Sequence, residues 1–293
     1  MQNENVLAGI VTYNADIVRL RLNIEAIYKQ VKEVLVIDNG SNNVIPIIDL
    51  VDKYNNVNLK LNNENKGIAV ALNQIGDFAV EKEVEFFLTL DQDSVADDNL
   101  VGELLASFES DSIGMTCPYI NRKNDFISSN SKHEVKTAIT SGAMVKTSVW
   151  KEIGGFWEFL FIDEVDHEFS YQIRKNGYSI LQTNSVAINH IIGNPFSKKI
   201  LGHQFNPTNH SAFRRYYIAR NNLIMQHLYP EEKEPFQHRY RMLMKMTISI
   251  LFCENNKVSK IRAICRGIKD AIIWSIKNKD IYERRELHDR CYS

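Results

Sequence analysis

The run Phe86-Phe87-Leu88-Thr89-Leu90, followed at once by Asp91-Gln92-Asp93-Ser94, constrains this chain more than any other stretch. Its bulky residues are continuous and do not alternate with polar ones, which predicts a strand buried on both faces. Such a strand needs helices packed above and below it, so the expected class is α/β. The abrupt end sets two carboxylates at i and i+2, where they repel each other and lose hydration. A divalent cation held between oxygen ligands would relieve both costs. A turn rich in Asp explains the same residues without any ion.

The N-terminal half repeats this unit. Val6 to Thr12 reads as a strand ending in Tyr13-Asn14, and a helix follows with Ile17, Leu20, Ile24, Ile27 and Val31 on one stripe. Val34 to Ile37 is a second strand, stopping at Asp38-Asn39-Gly40-Ser41. Helical residues from Ile47 to Tyr54 lead to a third strand, Val57 to Leu61. The loop Asn62 to Gly67 then opens a helix carrying Ala69, Leu72, Asn73, Ile75, Phe78 and Ala79. This alternation implies a mostly parallel sheet with right-handed crossovers. Ligands of such sheets bind at the carboxyl ends of the strands, where Asn14, Asp38, Asp91 and Asp93 all fall. No Gly-rich dinucleotide fingerprint follows the first strand, which argues against a nicotinamide site.

Beyond Asp93 the pattern changes. A helix (Leu100, Leu104, Leu105, Phe108) and a strand (Ile113 to Cys117) precede a polar segment, Asn121 to Lys136, expected as a surface loop. The small residues Ser141-Gly142-Ala143 mark either a close approach of ligand or a bulge in the chain. Aromatic residues from Phe156 to Phe161 then lead into Asp163-Glu164-Val165-Asp166-His167-Glu168, the start of a helix expected to reach Asn176. Asp163 reads as its N-cap, and the helix dipole favours acids in the first turn. Aromatic walls beside a helix-mounted carboxylate also suit a general base in a partly dry pocket. His190 closes the strand Ala187-Ile188-Asn189, either as an edge residue or as a third ligand beside Asp91 and Asp93.

Charge divides the chain unevenly. Residues 1–200 carry 18 Lys+Arg against 27 Asp+Glu, and residues 201–293 carry 17 against 9. The tail reads as helices with apolar stripes, Phe236, Tyr240, Leu243, Ile248 and Leu251 on one, Ile261, Ile264, Ile268 and Ile272 on the next. Lys260, Arg266 and Lys269 lie around the latter. An anionic membrane surface would suit such helices, as would packing on each other with the charges solvated. No aromatic-basic pattern points to nucleic acid. Cys117, Cys253, Cys265 and Cys291 show no disulfide or metal spacing, so a reducing compartment is expected. The first residues lack a signal-peptide pattern and no run reaches transmembrane length, which places the expectation in the cytoplasm.

Taken in order, Thr12-Tyr13-Asn14, Ile37-Asp38-Asn39-Gly40-Ser41, Asn65-x-Gly67…Asn73, Asp91-Gln92-Asp93, Gly154-Gly155-Phe156, Asp163-x-x-Asp166-x-Glu168 and His190 resemble the family 2 glycosyltransferases. Within them the chain is most similar to the bacterial rhamnosyltransferases, and Arg214-Arg-Tyr-Tyr-x-x-Arg220-Asn221 extends the match to about residue 225. Trp157 departs from the acid that often follows Gly-Gly-Phe in that family.

The resemblance implies a GT-A (nucleotide-diphospho-sugar transferase) fold over residues 1–200. Residues 201–293 would be a basic helical extension near the acceptor or membrane. It implies Asp166 as catalytic base, with Asp163, Glu168 and Trp157 supporting base or acceptor. Thr12, Asn14, Asp38, Lys66, Gly67, Asn73, Asp91, Gly142 and Arg220 would bind the nucleotide-sugar, and Asp91, Asp93 and His190 would hold Mg²⁺ or Mn²⁺. The implied reaction is inverting transfer, with dTDP-L-rhamnose the favoured donor and a saccharide or lipid-linked saccharide the acceptor. The enzyme would then be cytoplasmic, peripheral to the cell membrane. A UDP-hexose transferase, a nucleotidyltransferase and a non-catalytic sugar-binding partner are the competing readings. Oligomeric state stays open, a homodimer included.

Overall fold

The computed structural model describes residues 3–121, 128–190, 198–200, 203–205, 207–232 and 236–279. The chain divides into two units, Met1–Phe161 with Val165–Ile191, and Ile162–Glu164 with Ile192–Ser293.

The first unit opens with β1 (Asn3–Thr12), α1 (Ile17–Ile27), β2 (Val31–Asp38), α2 (Val44–Val51), β3 (Val57–Leu61), α3 (Ile68–Glu81) and β4 (Phe86–Asp91). It continues through β5 (Ser94–Ala96), α4 (Leu100–Leu105), β6 (Ile113–Asn121), β7 (Lys132–Glu134), β8 (Ala143–Lys146), α5 (Thr147–Glu152), α6 (Val165–Lys175) and β9 (Ser179–His190). Strands β3-β2-β1-β4 are parallel, as the alternation of strand and helix requires. Strand β8 then runs antiparallel to both β4 and β6, while β9 lies parallel to β6. The sheet is therefore mixed, with its parallel half where sequence alternation was strict. Short β5 and β7 both add to β9 antiparallel. Strand β7 lies within the stretch expected as a loop.

Local chemistry sets the ends of the elements. Asp16 caps α1, its carboxylate accepting from the N–H groups of Val18 (2.9 Å) and Arg19 (3.3 Å). Leu20, Ile24 and Ile27 then turn one face of α1 onto the sheet and are fully buried. Strand β1 sits in the middle of the parallel half, and Val6 to Thr12 are buried throughout. Gly9 lets α3 lie close to that strand, because a Cβ there would fall inside the Ile75 side chain.

The second unit holds a hairpin, β10 (Lys198–Ile200) and β11 (His203–Phe205), and three helices, α7 (Ala212–Leu228), α8 (Phe236–Cys253) and α9 (Lys257–Lys277). Ala219, Leu243, Ile250 and Ile264 form its core, with Ile261 and Ile268 packed against it. Much of the α9 stripe is thus internal. Lys260 is internal too, which corrects its reading as a solvated surface charge. It is 3% exposed and donates to Glu254 Oε2 (2.9 Å) and Asn209 Oδ1 (2.6 Å). Arg215 engages the other oxygen of Glu254 at 2.6 Å. Burial pushes the Glu254 carboxyl upward, but hydrogen bonds from Lys260 and Arg215 outweigh it and hold the group below its ordinary value. Among the described residues no helix is long and apolar enough to cross a membrane.

The close approach at Gly9 makes a direct prediction. Gly9→Val should lower stability by about 1–3 kcal/mol, the usual cost of overpacking a filled core. Chemical denaturation monitored by circular dichroism measures it, and an unchanged midpoint would mean α3 moves aside freely.

Candidate active site

Pairing register brings the strand-end residues together. Thr12 lies opposite Asp38 in the β1–β2 pair, and Val11 lies opposite Asp91 in the β1–β4 pair. Asp38 is 1% exposed, so its carboxylate must be hydrogen-bonded to be tolerated there. Thr12 Oγ1 donates to Oδ1 (3.2 Å) and the Ser41 N–H donates to Oδ2 (2.9 Å). A carboxylate has further lone pairs, so acceptance of one more N–H is within its capacity. Asn14 adopts a left-handed backbone (φ 50°); its N–H donates to Ser41 Oγ (2.7 Å), and its Oδ1 accepts from the N–H of Asn42 (2.9 Å). The N–H of Tyr13 donates to Gln92 Oε1 at 2.8 Å, tying the β4 turn to the end of β1.

Asp91 is anchored through its backbone. Its carbonyl accepts from Asn23 Nδ2 (2.7 Å), and its N–H donates to Ser141 Oγ (3.4 Å). Ser141 and Ser94 hydroxyls meet at 2.5 Å, which secures the turn that carries Asp93. Ser94 pairs with His190 across β5 and β9, so the backbone of His190 runs beside that turn. The His190 side chain lies outside the described residues. Among those described, no three His, Cys, Asp or Glu side chains converge as a metal cage. Gly142 has φ +85°, its N–H donates to the Thr89 carbonyl (2.7 Å), and a Cβ would lie 2.6 Å from Ile188. Its small size serves this tight turn into β8.

A buried amide network shapes the loop that begins α3. Asn39 Oδ1 accepts from the Lys66 N–H and from Asn62 Nδ2, both at 3.1 Å. Its Nδ2 donates to the Gly67 carbonyl at 3.1 Å. Lys66 is thereby fixed at its backbone while its side chain stays exposed. Sequence reading placed Asn39 in the segment that ends the second strand and gave it no role of its own. The signal was the concentration of amides at Asn39, Asn62, Asn65 and Gln74. Gly67 (φ +88°) lies against Phe161, whose carbonyl accepts the N–H of Ile68 at 2.7 Å.

Asn73, expected on the nucleotide-sugar, gives its amide to the loop before α6. Its Nδ2 donates to the Phe156 carbonyl and to Glu158 Oε1, both at 2.9 Å, and its Oδ1 accepts the Phe156 N–H at 2.7 Å. Phe156 stacks on Phe169 at 4.0 Å, and Trp157 stacks on Phe159 at 5.1 Å. Beyond this aromatic approach, Asp166 stands half-buried in the first turn of α6. Glu168 is fully buried and accepts from Gln172 Nε2 at 3.0 Å.

Asp163 is not the N-cap of α6. The helix begins at Val165, and Asp163 has a left-handed backbone (φ 65°) with its carboxylate on Arg214, Nη2 at 3.0 Å and Nε at 3.2 Å. Glu164 also has a positive φ (67°), and Phe161 combines φ 64° with ψ −61°; such backbone costs a residue other than glycine about 1–3 kcal/mol. Arg220 belongs with Asp163 to the second unit, and its guanidinium lies over the Tyr217 ring at 4.7 Å. The other expected site residues, Thr12 through Gly142, Trp157, Asp166, Glu168 and the His190 backbone, belong to the first unit.

The model of "Glycosyl transferase family 2" matches residues 8–173, more than half of the chain. This chain belongs to glycosyl transferase family 2. It is 30% identical over 242 residues to the dTDP-rhamnosyl transferase RfbF of Shigella flexneri, covering 76% of this chain and 80% of that protein. A crystal structure of GalNAc-T7 with UDP, GalNAc and Mn²⁺ superposes with a TM-score of 0.58 at 16% identity. That match covers 94% of this chain but only 57% of GalNAc-T7, and it shows the GT-A fold.

The Asn62 N–H donates to the Asp38 carbonyl at 2.8 Å, and Asn39 holds the same loop between β3 and α3 beside that strand end. Asn39→Ala would remove the acceptor shared by the Lys66 N–H and Asn62 Nδ2, at a cost of about 1–3 kcal/mol. The variant should melt earlier and bind nucleoside diphosphate more weakly in calorimetry, whereas unchanged values for both would make the network dispensable.

Proposed function

We propose that the chain transfers L-rhamnose from dTDP-L-rhamnose to a saccharide acceptor with inversion at the anomeric carbon. The observation that carries the mechanism is the half-buried Asp166, in the first turn of a helix behind a fixed aromatic loop. It stands in the same unit as strand ends bearing Asp38, Asp91 and Asp93. The rhamnosyl donor follows from the similarity to a dTDP-rhamnosyl transferase over most of both chains.

In this reading Asp38 accepts the imide N–H of thymine, held in place by Thr12 and Ser41. Lys66 meets the phosphates. Asp91 and Asp93 lie at the end of β4, and the backbone of His190, at the end of β9, pairs with Ser94; two carboxylates and a histidine are a donor set that suits Mg²⁺ or Mn²⁺, so Asp91, Asp93 and His190 would hold such an ion. When bound, it neutralises charge gathering on the departing diphosphate. Asp166 takes the proton of the acceptor hydroxyl as that oxygen bonds to the anomeric carbon. The carbon–oxygen bond to dTDP breaks on the opposite face, and its electron pair leaves with the diphosphate. A single displacement of this kind inverts the centre. Trp157 and Phe159 offer an apolar face for the acceptor ring, and buried Glu168 supports the base helix from within.

Asp166→Asn keeps the size of the side chain and removes its basicity. With dTDP-L-rhamnose and a saccharide acceptor, kcat should fall by about 10²- to 10⁴-fold while donor affinity persists. Near-normal turnover in the variant, or no transfer of rhamnose by the wild type while UDP-hexoses react, would reject this reading.

An anionic membrane surface, where a lipid-linked acceptor would reside, is part of the proposal. The exposed face of α8 carries Met244, Ile248, Leu251 and Phe252 together with Arg241 and Lys245. Exposed Ile272, Ile273 and Ile276 on α9 lie among Arg262, Lys269 and Lys277. The acids between Arg241 and Lys277 are Glu254, in its buried ion cluster, and Asp270, which accepts from the Tyr216 hydroxyl. The protein should co-sediment with anionic vesicles more than with neutral ones, and less as salt rises. Equal sedimentation with both would assign these faces to protein contacts.

A further inference from the structure

We infer that Asn221 is a positioning residue for transfer: it holds the left-handed turn through which the chain enters the helix of the base. This inference rests on the assignment of Asp166 as that base.

The turn and the side chain that holds it lie in one unit, Ile162–Glu164 with the C-terminal helices. Asn221, on α7, is fully buried. Its Nδ2 donates to two successive carbonyls, Ile162 (2.8 Å) and Asp163 (3.0 Å). Its Oδ1 accepts from Arg220 Nε at 2.8 Å, which sets the amide with its nitrogen toward the turn. Neighbouring residues of α7 take the side chains of the same segment. Arg214 grips the Asp163 carboxylate, and Asn222 Nδ2 donates to Glu164 Oε1 at 3.3 Å.

That much fastening matches the conformation held. Asp163 and Glu164 both have positive φ, and Phe161 just before them does as well. None is glycine, so the backbone would relax toward ordinary dihedrals if released. Successive carbonyls near one another repel, and an amide NH₂ between them removes that repulsion. Asparagine does this with both hydrogens, whereas aspartate adds a third acceptor and alanine takes the donor from both part-buried carbonyls.

The consequence reaches Asp166 through the chain itself. It follows Glu164 by two residues, and consecutive Cα atoms are held about 3.8 Å apart. Dihedral changes at Asp163 and Glu164 therefore re-aim the first turn of α6. A base displaced by about 1 Å can lose about 10²-fold in rate without loss of substrate binding.

The test compares wild type, Asn221→Ala, Asp166→Asn and the double variant Asn221→Ala/Glu164→Gly. Asn221→Ala should lower kcat about 10- to 100-fold and leave the donor KM within about 2-fold. Deuterium exchange in the peptide spanning residues 160–170 should speed up. Glycine adopts φ near +67° without steric cost, so the double variant should recover most of the lost turnover. Wild-type exchange and turnover in Asn221→Ala would overturn the inference. So would a loss of activity that tracks unfolding and that glycine at 164 does not restore. If instead Asp166→Asn stays active while Asn221→Ala loosens the peptide, the assignment of the base fails and the turn-holding role stands.

Discussion

Thr12 stands beside Asp38 and one residue past the partner of Asp91 because β1 pairs in parallel with β2 and β4 at a fixed register. Three polar strand ends then fall at one level of the sheet, which is what turns separate turns into a site. Burial of Val6 to Thr12 on both faces does not itself choose the register, and the polar contact between Thr12 and Asp38 at the strand ends does. A shift by one residue would turn Asp38 to the opposite face and part it from Thr12. Its carboxylate would then be buried with one partner fewer, an arrangement costlier than the present one. The same hydrogen bonds that make Asp38 tolerable also aim it.

The two sides of the proposed reaction are held by different means. Donor-side residues stand on strand ends and on loops cross-linked by amides, with Asn39 alone bonding to four residues of one loop. The base side depends on a segment of positive-φ backbone that Gly154 and Gly155 (φ +75° and +70°) adopt freely and that strains Phe161, Asp163 and Glu164. Asn73 fixes its beginning, and the Ile68 N–H fixes it again at Phe161. Strain of this kind persists only where surrounding contacts over-determine it, and it concentrates at functional sites. A carboxylate that must reach an acceptor hydroxyl needs a fixed approach more than a stable one.

What the sequence made legible follows from the range of the interactions. Alternating strand and helix, apolar stripes such as Leu20, Ile24 and Ile27, and strand-end carboxylates are local signals, and the parallel half of the sheet came out as they imply. The reversal at β8 is set by pairing between residues 54 to 60 positions apart, Thr89 with Ala143 and Phe86 with Lys146, and no local pattern announces it. Asp163 misled for a related reason. Acid before a helix is the signature of a cap, but Arg214, far along the chain, claims that carboxylate instead. Asn221 carries no local signal either, since an amide in mid-helix becomes informative only when the two carbonyls it meets are known.

The tail shows how a net charge misstates a surface. Several of its cations are spent internally: Arg215 and Lys260 on Glu254, Arg214 on Asp163, Arg220 and Arg266 over tyrosine rings. Breaking the buried cluster at Glu254 by removing one partner would strand a charge at a cost of about 3–5 kcal/mol, so these cations support the helices. Those that remain exposed on α8 and α9 are interleaved with Met244, Ile248, Leu251, Phe252 and Ile272 to Ile276. Long basic side chains can lay their stems on such apolar surface and keep their heads in water. Burial of that surface stabilises by about 25 cal/mol per Å² and is unaffected by screening, whereas the cationic attraction fades beyond about 8 Å at physiological salt. Any attachment made through these faces therefore depends first on the apolar residues. The charges decide which surface they meet.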